Sequence, residues 1–164
     1  MTEGELQLPR LLDLPTDHEQ RVDLLYGVYL RDLVKTCPTV GGVSVVINRK
    51  TIYAGKQEMF WHLIQHGQRR GDDGDYDHQR AIRLPWIRTI IDDQGKSSEV
   101  RAFRHESKPN VIRYYLWHFV EHYRIVLEKV GATEETTEFV LITAHYLDFK
   151  HARDGMERKY QQRC

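Results

Sequence analysis

The sequence predicts an α+β fold: N-terminal helices packed on a four-stranded antiparallel β-meander, followed by a C-terminal helix. Three observations predict it. Residues 17–35 repeat apolar side chains at helical spacing. Residues 100–146 hold four short runs rich in β-branched and aromatic residues, joined by polar connections. Residues 151–163 are basic and polar, with the character of a terminal helix.

The 164 residues suffice for one domain with a real core. We read residues 1–39 as an arm and amphipathic helix, and residues 40–164 as the main α+β unit of a single compact domain. Lys and Arg number 24, balanced by 24 Asp and Glu, so attraction to nucleic acid would have to come from a local patch. No apolar run approaches the roughly 20 residues of a membrane span, and no membrane partner is expected. The start, Met-Thr-Glu-Gly-Glu-Leu, lacks a secretory pattern. Two cysteines, Cys37 and Cys164, make no disulfide framework and suit a reducing, cytoplasmic setting.

Residues 2–16 are interrupted by Pro9 and Pro15 and carry Leu6, Leu8, Leu11, Leu12 and Leu14, an arm in need of cover. Thr16 or Asp17 can cap the first helix, with Glu19 or Gln20 near the capping-box position. Its apolar face is Val22, Leu25, Tyr26, Tyr29, Leu30 and Leu33, and Thr36-Cys-Pro38 ends it. After Gly41-Gly42, residues 43–47 read as a strand that turns through Asn48, Arg49 and Lys50 into residues 51–53, a small hairpin. Residues 56–66 read as a helix stopped by Gly67, with Met59, Phe60, Leu63 and Ile64 inward.

His62 and His66 lie four apart on that expected helix. The zinc-protease motif fails, because Leu63, Ile64 and Gln65 stand between them instead of a general-base Glu. His118 and His122 share the spacing but lie in a strand-like stretch. Residues 68–79 form a polar, glycine-rich surface loop. Asp72, Asp73, Asp75 and Asp77 resemble a calcium loop only superficially, since the closing bidentate Glu is missing. No metal and no cofactor is expected. Arg69, Arg70, Arg80, Arg83 and Arg88 bracket this loop and form a candidate basic patch, with a solvated, salt-bridged face as the plainer explanation.

Pro85 splits residues 81–91 into a helical turn and a second half. The four strands are expected at residues 100–104, 111–118, 123–130 and 139–146, and their short connections favour a meander. Residues 131–138 are a polar loop. At the end of the last strand, apolar residues give way to Thr143, His145, Tyr146, Asp148 and Lys150, the floor of a candidate site.

The helix Phe60-Trp-His62-Leu-Ile, the Arg-rich segment ending Leu84-Pro-Trp-Ile-Arg88 and the last strand Phe139-Val-Leu-Ile-Thr-Ala-His-Tyr146 together resemble the barnase–EndoU–colicin–RelE (BECR) superfamily of small ribonucleases. The similarity is greatest to its phage, mobile-element and polymorphic-toxin branch and covers roughly residues 40–162. It implies a metal-independent, toxin-like endoribonuclease in the cytoplasm, with RNA as substrate and an antitoxin or immunity protein as partner. In such enzymes the ribose 2′-OH attacks the adjacent phosphate and leaves a 2′,3′-cyclic phosphate.

That chemistry needs a base, an acid and donors around the phosphorane. His62 is the first candidate for acid or base, and His145 the alternative, standing where the family more usually has an aromatic. Arg88 and Arg80 are candidate phosphate ligands, Thr143 and Tyr146 orienting hydroxyls, and Lys150 a second cation. Arg69, Arg70 and Arg83 would extend RNA binding. Strand alternation groups Thr143 with His145, or Tyr146 with Lys150, unless the strand ends or bulges there. The alternative function is a non-catalytic accessory protein that binds RNA or protein through exposed aromatics at Tyr114, Tyr115, Trp117 and Tyr123.

Overall fold

A computed structural model describes residues 4–47, 52–131 and 137–164. The turn expected at Asn48, Arg49 and Lys50, and residues 132–136 of the polar loop, lie outside them. Among the described residues, no helix is long and apolar enough to cross a membrane. Cys37 and Cys164 are free.

The N-terminal arm lies against the domain through bonds spaced along it. Gly4 O accepts from Ser98 N at 2.7 Å, Leu6 N donates to Glu99 Oε1 at 2.9 Å, and Trp86 Nε1 donates to Pro9 O at 2.8 Å. Leu6, Leu8, Leu12 and Leu14 pack on the core, which gives them the cover their apolar character requires. Asp17 then caps helix α1 (His18–Tyr29) by accepting from Gln20 N. Val22, Leu25 and Tyr29 are its buried stripe. The helix continues not as a uniform α-helix but as a π-turn over Leu30–Val34, in which Lys35 N reaches back to Leu30 O.

Strand β1 (Thr39–Val40) folds back on β2 (Val43–Val46), and among the described residues, 43–47 do not pair with 52–53, as the expected hairpin required. Instead β3 (Ile52–Tyr53) pairs with β4 (Lys56–Gln57). Helix α2 (Glu58–Ile64) is shorter than expected. Gln65 and His66 leave it as β5 (Gln65–His66), paired with β6 (Asp75–Tyr76), so His62 and His66 share no helix face. Within the Gly-rich loop the Gln65 side chain, almost fully buried, donates to Gly71 O at 2.7 Å. Gly74 lies so close that a Cβ there would collide with the same amide, hence glycine. Helices α3 (His78–Ala81) and α4 (Trp86–Asp93) follow, separated at Pro85.

The sheet has six strands, not four. Strands β7 (Val100–Lys108), β8 (Val111–His118), β9 (Tyr123–Val130) and β10 (Glu138–Tyr146) pair antiparallel in succession. β2 and β1 extend the sheet beyond β10, with β2 parallel to it. β7 runs past residue 104 into the segment expected to be a turn, and the reversal waits for Asn110 at φ +65°.

One sheet face packs against the arm and α1–α4 around Leu25, Phe60, Ile87, Ile125 and Leu141. The other is partly covered by helix α5 (Lys150–Gln161), whose Met156 joins Phe103, Tyr115, Trp117 and Val126. Tyr115, Trp117 and Tyr123 are therefore interior, and Tyr114 packs on the core; the meander offers no exposed aromatic face made of them. Aromatic side chains bury the most apolar area per residue, so a sheet covered on both faces draws them in.

Arg88 is built into the scaffold. Its Nη1 donates to Asp32 O (2.9 Å), Thr36 O (3.0 Å) and Thr36 Oγ1 (2.8 Å), and its Nε to Asp92 at 3.0 Å. A guanidinium thus satisfies carbonyls at the end of the first helical segment, which otherwise lack donors. Replacing Arg88 with Met should lower unfolding free energy by about 1–3 kcal/mol, the worth of charged hydrogen bonds in partial burial, measured by urea denaturation.

Candidate functional site

At the start of β10, Phe139 and Val140 lie opposite Val45 and Val46; beyond them, among the described residues, β9 is its strand partner and α2 and α3 pack by its other side. The register with β9 shifts between Leu141 and Thr143, leaving Ile142 as an extra residue. The shift re-aims the strand. Ala144 enters the main core, while Thr143 and His145 project from the opposite face.

Into this place α2 delivers His62. Its Nε2 lies 2.9 Å from Thr143 Oγ1, and Thr143 Oγ1 lies 3.4 Å from His145 Nδ1. On the far side, Arg70 Nη2 donates to His62 Nδ1 at 2.8 Å. Arginine can only donate, so the chain acquires a direction. His62 Nδ1 is the acceptor, its hydrogen is on Nε2 and goes to Thr143, and the threonine hydrogen is left for His145 Nδ1. His145 consequently carries its own hydrogen on Nε2.

Both imidazoles are neutral in this arrangement, and their surroundings require it. Burial first, then Arg70 and Arg80, lower the His62 pKa to about 4. Burial first, then Arg124, Arg80 and His62, lower that of His145 to about 3. Each cause disfavours a positive charge. Arg124 is the residue that sequence reasoning missed. It stands directly opposite His145 in the β9–β10 pair and is partly buried, donating from Nη1 to Met156 Sδ at 3.6 Å. The signal was present: a lone Arg between Tyr123 and Ile125 in an apolar strand. Among the described residues, the Nε atoms of Arg21, Arg70, Arg83, Arg113 and Arg124 are buried donors without an acceptor. Those of Arg70 and Arg124 belong to the side chains beside His62 and His145, where an anion could accept from them.

Arg80, from α3, stands next to this group. It donates to Gln65 O at 2.6 Å and His62 O at 3.3 Å, closing the C-terminal end of α2, and pairs with Asp77 at 3.4 Å. It also lines a cleft of about 550 Å³ together with His145, Tyr146, Asp148 and Phe149. Burial and Asp77 raise the Asp148 carboxyl above its ordinary value. Tyr146 reaches the same cleft because β10 ends with it. Its ring lies under the Arg83 guanidinium at 4.0 Å, and its hydroxyl accepts from Arg153 at 3.2 Å.

The structure therefore brings together His62, Thr143, His145, Arg70 and Arg80, with Tyr146 and Arg83 beside them. Thr143 with His145 is the pairing that forms; Tyr146 with Lys150 is not. Lys150 points to solvent and pairs with Asp154 at 2.8 Å, and exposed Arg69 pairs with Asp75 at 3.4 Å. Among the described residues, Arg88 bonds Asp32, Thr36 and Asp92, none of them in this group. Among the described residues, no three His, Cys, Asp or Glu side chains are grouped to hold a metal ion.

No protein-family model, curated protein or solved structure matches this chain.

The depressed imidazoles have a consequence for stability. Above about pH 6.5 histidine is neutral in the unfolded chain as in the folded one. Below that value the unfolded chain binds protons that the folded protein refuses until about pH 4 at His62 and about pH 3 at His145. Unfolding free energy should thus fall as pH drops from about 6.5, by up to roughly 1.4 kcal/mol per pH unit for each imidazole. In urea titrations at a series of pH values, His145→Gln should make that decline shallower.

Proposed function

We propose that this protein is a metal-independent endoribonuclease that cleaves RNA by 2′-OH attack, leaving a 2′,3′-cyclic phosphate. The observation that carries the reading is the meeting of two neutral imidazoles with the guanidiniums of Arg70 and Arg124, whose Nε donors lack acceptors among the described residues. A phosphodiester is an anion that accepts several hydrogen bonds, and the adjoining ribose offers a hydroxyl for an imidazole to deprotonate.

The hydrogen-bonded chain gives the base its form. At rest, Arg70 holds His62 Nδ1 as an acceptor and the relay leaves His145 with hydrogen on Nε2. A phosphate oxygen that takes over Arg70 frees His62 Nδ1 to gain a proton from solvent and donate it to that oxygen; the relay then passes one proton along and His145 Nε2 releases one to solvent, so that every bond reverses. Thr143 would then donate to His62 Nε2 and accept from His145 Nδ1–H, and His145 Nε2 would become the free lone pair beside the cleft. That nitrogen takes the 2′-OH proton as the 2′-oxygen–phosphorus bond forms and the bond to the 5′-oxygen breaks. The leaving oxygen takes its proton from solvent. The phosphate charge also offsets the nearby guanidiniums and raises the imidazole pKa values toward the range useful for a base.

The BECR resemblance supports the same reading. We take the four successive antiparallel strands with the helices before them as that family's meander, lengthened here by β1 and β2. A toxin-like nuclease of phage or mobile-element type would act in the cytoplasm and have an antitoxin or immunity protein as counterpart. A second reading, RNA binding without cleavage, is favoured by one observation: neither imidazole is charged at neutral pH, so no imidazolium stands ready as acid.

Purified protein incubated with RNA in excess chelator should yield fragments ending in cyclic phosphate. His145→Ala and His62→Ala should each lower the rate by about 10²–10⁴-fold. RNA left intact by folded protein, or variants as active as the parent, would refute cleavage; RNA bound but uncut would establish the second reading.

A further inference from the structure

Phe149 breaks two rules at once. It occupies the N-cap of α5, where Ser, Thr, Asp or Asn would satisfy a backbone donor, and it makes no such bond. It is also 65% exposed, more than any other large apolar side chain among the described residues. A residue that neither caps nor packs costs stability, and such departures concentrate where a chain binds something. Phe149 does not belong to an apolar patch, since its neighbours Asp148, Lys150 and His151 are polar and exposed.

Its position is specific. Phe149 lines the cleft that His145, Arg80 and Tyr146 also line. Its ring lies nearly parallel to His151, with centroids 5.7 Å apart and planes at 11°. The two tyrosines of the cleft are engaged already: Arg21 sits 4.0 Å from the centre of the Tyr76 ring, and Arg83 at 4.0 Å from that of Tyr146. Phe149 carries no cation on its ring among the described residues, and His151 supports one side of it.

We infer that Phe149, backed by His151, is a stacking platform for an unpaired nucleobase, and that the cleft takes single-stranded RNA. The inference rests on the RNA reading above and adds the substrate class. A base within a duplex has both faces covered by its neighbours, whereas a base in a loop or single strand can lie flat on an aromatic ring. Stacking tolerates any base, because every base has a π-face. The platform therefore selects for strandedness and not for sequence.

The test is binding of the intact protein to an uncleavable 2′-O-methyl oligoribonucleotide, single-stranded or in a duplex, followed by fluorescence anisotropy. The parent should prefer the single strand. Phe149→Ala should weaken that binding about tenfold or more, while Phe149→Trp retains it. Phe149→Asn supplies a better cap, so the same weakening there cannot come from a lost fold. The salt dependence should stay unchanged in all three, since no phosphate contact is removed. Equal affinity of Phe149→Ala and parent, or equal affinity for duplex and single strand, would overturn the platform. Cleavage by the parent with unaltered binding in the variants defeats the platform alone. Weakened binding with no cleavage by the parent defeats the nuclease and upholds the platform. A parent that binds no RNA defeats both.

Discussion

The site depends on what stands beside the second half of β10. Two residue pairs of parallel ladder, Phe139 with Val45 and Val140 with Val46, tie β2 to the sheet. Beyond them, among the described residues, α2 and α3 pack by β10, and α2 sets an imidazole against Thr143. The extra residue at Ile142 completes the arrangement, since without it the alternation would have turned Thr143 and His145 into the core.

The electrostatics of the group follow from where its counter-charges are. Arg69, Arg88 and Lys150 each have a carboxylate partner, so their charges are largely answered. Arg70 turns to the loop carbonyls of Gly67 and Arg69 and to His62, and Arg124, among the described residues, bonds a thioether. Burial first, and then the positive potential of these partly buried guanidiniums and of Arg80, keep both imidazoles neutral. Net charge over the whole chain is zero, and the asymmetry is entirely local.

Much of this was legible in the sequence where periodicity and turn chemistry agree. The α1 stripe, the Asp17 cap and the strands at residues 111–118 and 123–130 follow from residue type and spacing alone. The pairing of β2 was not legible, because a four-residue apolar strand says nothing of its partner or direction. Helix α2 ended early because Gln65 bonds the following loop, a tertiary contact that overrides a helical pattern. At the site, residue type drew attention to His62, Thr143 and His145. Arg88 looked equivalent to Arg70 as an arginine near the loop, and only the Asp32 and Thr36 carbonyls distinguish its role. Arg124 follows from strand register, once the β9–β10 hairpin is aligned so that Tyr123 meets Tyr146.

The joining of β2 to β10 also sets an order of events during synthesis. A ribosome releases the chain from its N-terminus, and early segments can settle before later ones exist. His62, Arg70 and Arg80 emerge well before Thr143 and His145, and β2 must wait for β10 before it has that neighbour. The relay consequently cannot close on a chain still being translated up to β9. For a protein that attacks RNA, such a delay would keep the nascent polypeptide harmless to the messenger and ribosome producing it until β10 has been made.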